Sequence, residues 1–162
     1  MTIPSNRTWW LLIAGVSAVL ALASIALTEW LALQPCHLCI FQRLLYMLIV
    51  PLALVAAFST GLATRIMGTL IGVTAAGGTA TAAYQTWLQA QPEGGVSCIG
   101  PEMGPIERLV EWLGTQLPTL FMATGFCEDV GLVILRLSLA QWALIFFLLT
   151  VLLSLWLLVR SR

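Results

Sequence analysis

Four continuous apolar runs, each long enough to cross a lipid bilayer, restrict the fold of this chain more than any other feature. They cover about residues 9–28, 40–58, 66–88 and 139–159. A helical crossing takes about 20 apolar residues, and only helices or closed barrels can cross. Because the runs are continuous rather than alternating, they indicate helices. We therefore predict an all-α membrane protein, a four-helix transmembrane bundle in which residues 1–162 form a single domain.

The composition excludes several other classes of protein. Apolar residues make up 60% of the chain and charged residues only 9%, so neither a disordered chain nor an ordinary soluble enzyme fits. The basic residues are all arginine and are matched by seven acids, so there is no basic face for nucleic acid. Arg7 followed by Ala21-Leu22-Ala23 resembles a signal peptide. We nevertheless expect the first run to stay as a span, because it continues past that point.

The arginines predict the orientation of the bundle. Arg7 precedes the first run, Arg65 lies between the second and third, and Arg160 and Arg162 follow the fourth. Positive charge marks the cytoplasmic side of a membrane protein. We therefore expect both termini to be cytoplasmic and the loops at about 29–39 and 89–138 to face outward.

All four cysteines fall in those outward loops. Cys36 and Cys39 form a C-x-x-C at the start of the second run, and Cys98 and Cys127 lie in the long loop. A helix N-terminus favours a thiolate, and an oxidising compartment favours disulfides, although four cysteines allow three pairings. The alternatives are inert structural disulfides and a metal site built from the four thiols. The single histidine, His37, lies between two of the cysteines and has no assigned role.

Arg43 is the most informative charge in the chain. It lies four residues after Cys39, so the two share a helix face. A charge inside a span is a functional candidate, here to stabilise a thiolate or the anionic oxygen of a bound electron acceptor. The alternative is that the side chain snorkels to the interface.

Two further helical patterns are informative. Apolar residues recur at helical spacing in 105–117, which predicts a short amphipathic helix in the second outward loop, either on the membrane surface or packed on the bundle. The third run predicts a small-residue packing face, and its members are Gly68, Gly72, Ala75, Ala76, Thr79 and Ala83.

Three segments together resemble the DsbB family, bacterial disulfide bond formation protein B. Residues 35–43 read P-C-H-L-C-I-F-Q-R, similar to the family's P-C-x-L-C-x-x-x-R, and 121–127 read F-M-A-T-G-F-C, similar to F-x-A-[ST]-G-x-C. Gln141-Trp142 resembles the end of its P-Q-W. The resemblance covers nearly the whole chain, and the combination is more specific than any one segment.

The resemblance implies a relay of electrons. A reduced periplasmic thiol oxidase of the DsbA type would attack a Cys98–Cys127 disulfide at Cys98, and Cys127 would then attack Cys36. Cys39 would be released and would pass electrons to a membrane quinone of the ubiquinone or menaquinone type, with Arg43 beside it. Electron flow from DsbA through DsbB to quinone is the known role of this family in keeping the periplasm oxidising.

Two positions depart from the family pattern. Ala140 replaces the proline of P-Q-W, and Gln85 stands where some members carry a histidine near the quinone. Gln85 is therefore a weaker candidate for quinone binding. The resemblance further implies a multi-pass protein of the bacterial inner membrane, with its active cysteines on the periplasmic side, in contact with the lipid bilayer and the quinone pool. The natural quinone and the particular oxidase stay open.

Overall fold

The computed structural model describes residues 6–92 and 104–160, and four long helices account for most of them. These are α1 (Asn6–Trp30), α2 (His37–Phe58), α3 (Leu62–Gln89) and α6 (Leu139–Arg160). All four are long and apolar enough to cross a membrane, which confirms the predicted all-α four-helix bundle. Each predicted run lies inside its helix, and the helices extend beyond the runs by one to four residues at most ends.

The helices pack in order around the bundle, α1 on α2, α2 on α3 and α3 on α6. At one end the rings of Trp9 and Trp156 meet edge to face, with centroids 6.0 Å apart. At the other end, Gln85 of α3 contacts the residues that begin α2, including Cys36. We call this second end the cysteine end. Large apolar side chains on the outer faces are exposed, as at Val19 and Leu152, which suits contact with lipid.

Helix α3 packs through a face that differs partly from the predicted one. Its buried residues are Gly68, Ile71, Ala75, Gly78, Ala82, Gln85 and Leu88, whereas Ala76 and Ala83 are exposed. The close approach occurs at Gly78, where an added Cβ would lie 2.6 Å from the ring of Phe147. Small residues do let α3 approach its neighbours, as predicted, but Ala76 and Ala83 were wrongly included.

The second loop folds onto the cysteine end of the bundle. It contains α4 (Pro105–Gln116) and α5 (Pro118–Phe121). The predicted amphipathic helix is confirmed, and it packs on α2, since Val110 is fully buried against Ile40 and Phe121. Two of the apolar residues that recur in 105–117, Leu109 and Leu117, are nevertheless exposed.

A short hairpin that the sequence pattern did not predict precedes α6. Strands β1 (Val133–Ile134) and β2 (Leu137–Ser138) pair antiparallel. The turn between them places Leu135 and Arg136 at φ 53° and 68°. Such turns usually carry Gly, Asn or Asp, which explains why sequence reasoning missed it. The Nε1–H of Trp142 donates to the carbonyl of Ile134 (3.1 Å) and so attaches the hairpin to α6.

Candidate functional site at the cysteine end

Cys36 and Cys39 lie at the N-terminus of α2. Cys36 is the N-cap residue, and its sulfur accepts a hydrogen bond from the backbone N–H of Cys39 (3.3 Å). The two cysteines are free thiols, and their sulfurs are 2.7 Å apart. A disulfide needs about 2.05 Å, so a small movement closes the bond. The C-x-x-C pair is therefore assembled for reversible oxidation.

The environment of Cys36 distinguishes it from Cys39. Hydrogen bonding to Cys39, followed by burial, raises the pKa of the Cys36 thiol far above its ordinary range. Cys36 therefore keeps its proton at neutral pH. A thiolate in this pair belongs to Cys39, which the positive end of the α2 dipole also favours.

A buried amide on α3 holds the sulfur pair, and a second buried amide, on α2, donates to the first. The Nε2 of Gln85 donates to the sulfurs of Cys39 (3.0 Å) and Cys36 (3.3 Å). Its Oε1 in turn accepts from the Nε2 of Gln42 (2.9 Å). Gln85 was a weak candidate from the sequence, and the structure brings it into direct contact with the thiols. Sequence reasoning missed Gln42, although a glutamine beside Arg43 in an apolar span was a usable signal.

Arg43 is buried, with 3% of its surface exposed, so the snorkelling alternative is wrong. Its Nε donates to the Ser24 hydroxyl (3.0 Å), and its Nη2 donates to the Ser24 carbonyl (3.0 Å) and the Thr28 hydroxyl (2.7 Å). Its Nη1 donates to the Leu120 carbonyl (2.7 Å). The guanidinium thus ties α1, α2 and α5 together. Ser24 and Thr28 were missed, although two hydroxyls one turn apart in an apolar helix could have revealed them.

A cavity of about 530 Å³ opens beside these residues. One end is polar and is formed by Cys39, Gln42, Arg43 and Gln85. The remaining wall is almost entirely apolar and comes chiefly from α1 and α6; it includes Val16, Leu20, Leu27, Ala143, Phe146 and Leu149. A largely apolar pocket with a few convergent polar groups is the usual form of a small-molecule site. This one suits an apolar molecule with a polar head.

Cys127 lies next to the thiol pair. It is fully buried and belongs to one cluster with Cys36, Leu38 and Leu88. Cys127 is disulfide-bonded, and the predicted partner, Cys98, lies outside the described residues. The second loop therefore brings an oxidised cysteine against the reduced pair.

The alternatives to a redox site gain no support from the geometry. In residues 6–92 and 104–160 there is no group of three or more His, Cys, Asp or Glu side chains arranged to hold a metal. The sulfur of Cys127 is bonded to another sulfur, so it is not available as a thiolate ligand. The Nδ1 of His37 is buried and makes no hydrogen bond within the described part of the chain.

Helices that can span a membrane, with a thiol pair beside a disulfide, define a membrane protein with a thiol–disulfide site.

The protein-family model described as "Disulfide bond formation protein DsbB" matches residues 6–157. The chain is 39% identical over 141 residues to "Disulfide bond formation protein B" of Dechloromonas aromatica, covering 87% of this chain and 85% of that protein. It is 35% identical to the protein of the same name from Azoarcus sp., covering 100% and 98%.

The chain therefore belongs to the DsbB family, and it is a disulfide oxidoreductase of a membrane. A third relative, from Saccharophagus degradans, is 31% identical over 95% of this chain and 93% of its own length. The sequence resemblance is confirmed, and neither the metal-binding nor the purely structural alternative is favoured.

Proposed function

We propose that this protein reoxidises a periplasmic thiol oxidase of the DsbA type and passes the electrons to a membrane quinone. One observation carries the proposal. Cys39 of the C-x-x-C pair, with Gln42, Arg43 and Gln85, forms the polar end of a cavity whose other walls are almost entirely apolar. A quinone, the electron-accepting substrate, has a polar ring and an apolar tail and so matches that division. Both ubiquinone and menaquinone types fit this description.

The first step concerns the second loop. The partner's thiolate attacks the Cys98–Cys127 disulfide at Cys98, forming a mixed disulfide and releasing Cys127 as a thiolate. Burial supports this choice of sulfur, because a soluble protein cannot reach the fully buried Cys127. Thiol–disulfide exchange requires an accessible sulfur.

The second step transfers the electrons to the thiol pair. Cys127 attacks Cys36 of the oxidised pair, a Cys36–Cys127 disulfide forms, and Cys39 leaves as a thiolate. The Gln85 amide, 3.0 Å from the Cys39 sulfur, donates to that negative charge. The helix N-terminus stabilises it further.

The loop disulfide re-forms before the third step. The partner's second thiolate displaces Cys98 and leaves as the oxidised partner, and Cys98 attacks Cys127, so that the Cys98–Cys127 disulfide re-forms and Cys36 leaves as a thiolate.

The third step takes place in the cavity. Cys36 and Cys39 then form their disulfide and give two electrons to the quinone, which takes up two protons and becomes the quinol. Arg43 stabilises negative charge that develops on the quinone oxygen, in a site with little water to screen it. Its bonds to Ser24, Thr28 and Leu120 hold the guanidinium in position, so little reorganisation is needed.

We propose the orientation from the arginines. Both termini and the 59–65 link would be cytoplasmic, and the cysteine end would face the periplasm across a bacterial inner membrane. A periplasm-active reporter fused after Arg162 should be silent, and one inserted near Gly94 should be active. The opposite pattern would contradict the proposal, because the cysteines would face a reducing compartment.

The central test uses purified protein in detergent with a quinone and a reduced thioredoxin-fold partner. We expect the quinone absorbance to fall as the partner is oxidised, with one quinone consumed per partner disulfide. Thiol titration separates the alternatives: four free thiols with a bound ion would indicate a metal site, and disulfides that the partner cannot open would indicate a structural role.

A further inference from the structure

The segment that leads to Cys127 is attached to the backbone immediately before Cys36. The backbone N–H groups of Thr124 and Gly125 both donate to the carbonyl oxygen of Pro35, at 2.9 and 3.1 Å. We call this contact the loop dock. It joins the two cysteine-bearing loops through main-chain atoms only.

Glycine is required at position 125 because the contact leaves no space for a Cβ. A Cβ at position 125 would overlap the Gln34 carbonyl oxygen and would lie 2.9 Å from the Gln34 carbonyl carbon. These are backbone atoms, which cannot rotate away as a flexible side chain could. Any residue larger than glycine must therefore push the two loops apart.

The dock lies close to both reacting cysteines along the chain. Pro35 directly precedes Cys36, and Gly125 is two residues before Cys127. Both sulfurs are buried in the same cluster, so solvent thiols cannot mediate between them. Their approach is set by the backbone that carries them.

The neighbouring attachments of the loop contact other parts of the bundle. The carbonyl of Leu120 accepts from Arg43, and the carbonyl of Asp129 accepts from the Gln89 side chain, which is exposed, at 3.3 Å. Neither contact touches the segment before Cys36. Within residues 6–92 and 104–160, the hydrogen bonds of the loop dock join the segment before Cys36 to the segment before Cys127.

We propose that the loop dock, formed by Thr124 and Gly125 on Pro35, positions Cys127 for disulfide exchange with Cys36. In that exchange the Cys127 thiolate attacks the Cys36 sulfur, the Cys36–Cys127 bond forms and the Cys36–Cys39 bond breaks. Cys39 leaves as a thiolate with the electron pair, so nothing is oxidised or reduced overall. Thr124 and Gly125 are positioning residues, and their role rests on the second step of the proposed function.

The test follows this exchange without quinone or partner. In a Cys98→Ser background Cys127 is a free thiol; the Cys36–Cys39 pair is oxidised with diamide, and the reaction is quenched with acid at intervals. Alkylation and peptide mapping then give the fraction of Cys36–Cys127 disulfide. Misplacing reacting atoms by about 1 Å can cost about 100-fold in rate, so we expect Gly125→Ala to slow the exchange at least about tenfold.

Gly131→Ala is the matched control in the same loop, since an added Cβ there meets nothing within 4 Å. It should exchange at the parent rate. A second variant inserts one glycine after Gly125; it keeps the dock and lengthens the link to Cys127, and it should also slow the exchange. This insertion keeps the test valid if Gly125→Ala does not fold.

A final measurement separates misalignment from general damage. Cys98 and Cys127 are both replaced by serine, the remaining pair is reduced, and its single oxidation by added quinone is timed with and without Gly125→Ala. Equal rates are expected, because the dock does not touch the cavity.

Each failure has a distinct signature. Exchange at the parent rate in the folded variants would overturn the proposed role of the loop dock. So would a Cys98→Ser parent that forms no Cys36–Cys127 disulfide. So would a Gly125→Ala variant in which quinone oxidation of the reduced pair slows as much as the exchange. If the wild type reduced no quinone with any thioredoxin-fold partner, the proposed function would fail. A dock-dependent exchange rate would still be measured in that case.

Discussion

The two cysteine-bearing regions of this protein are held in different ways. Cys36 and Cys39 lie on a helix terminus and are held by side chains, above all by the buried Gln85 amide. Cys127 lies in irregular chain that is attached through backbone groups, the carbonyl of Pro35 among them. The first region is the end of a long helix of the bundle, and the second packs on that end of the bundle.

The difference follows from what each region must do in the proposed relay. The thiol pair exchanges electrons with a molecule inside the cavity, so its electrostatic surroundings must be fixed. The loop must react first with a protein outside the membrane and then with Cys36. A few backbone hydrogen bonds, each contributing about 1 kcal/mol, hold the segment that carries Cys127 in register beside Cys36.

The largest expected effect comes from a substitution that should abolish the activity of the thiol pair and leave that of the loop. Cys39→Ser should reduce quinone turnover to background, because a serine hydroxyl cannot deliver electrons. The loop should still form a mixed disulfide with the reduced partner. Quinone absorbance and non-reducing gels measure the two activities, and residual turnover in Cys39→Ser would show that the thiol pair is not the electron donor.

Arg43→Ala should have the next largest effect. Removing one preorganised charge from a developing anion costs about 100-fold or more, so kcat/KM for quinone should fall by about that factor. Reaction of the partner with Cys98 should stay near normal in stopped flow. Arg43→Lys should recover only part of the loss, because an ammonium cannot reproduce the bonds of a planar guanidinium. An unchanged quinone dependence in Arg43→Ala would limit Arg43 to holding α1 and α5.

Substitution of the buried amides Gln85 and Gln42 should have a smaller effect on quinone reduction. Gln85→Leu removes a hydrogen bond to a charged sulfur, worth about 1.5–3 kcal/mol, and should slow quinone reduction by about tenfold or more. Gln42→Leu should cost less, since Gln42 acts by orienting Gln85, and the double variant should resemble Gln85→Leu alone. Thr86→Ala is the control on α3, because its hydroxyl donates to the Ala82 carbonyl of the same helix. Additive losses would show that the two amides act independently.

Much of the helical bundle could be predicted because lipid leaves few alternatives. The apolar runs gave all four long helices, and the C-x-x-C beside Arg43 marked the correct end of α2. The burial of Arg43 was also foreseeable, because a charge inside a span needs a partner. Its partners on α1, Ser24 and Thr28, were not identified, since the sequence does not say how α1 is rotated against α2.

The loop could be predicted less well, for a physical reason. Its attachments use carbonyls, as at Pro35 and Leu120, and every residue has a carbonyl. The hairpin turn places Leu135 and Arg136 at positive φ, where the usual signal would be glycine or asparagine. Contacts made by backbone groups are therefore hard to predict from the order of side chains in the sequence.

The most direct test of the account asks whether the two regions act in series. Cys127→Ser protein in detergent is mixed with quinone and a reduced thioredoxin-fold partner, and the products are mapped by mass spectrometry while quinone absorbance is followed. The account predicts that the partner stays trapped on Cys98, that the Cys36–Cys39 pair stays oxidised and that quinone is not consumed. Normal turnover without an accumulated mixed disulfide would contradict it.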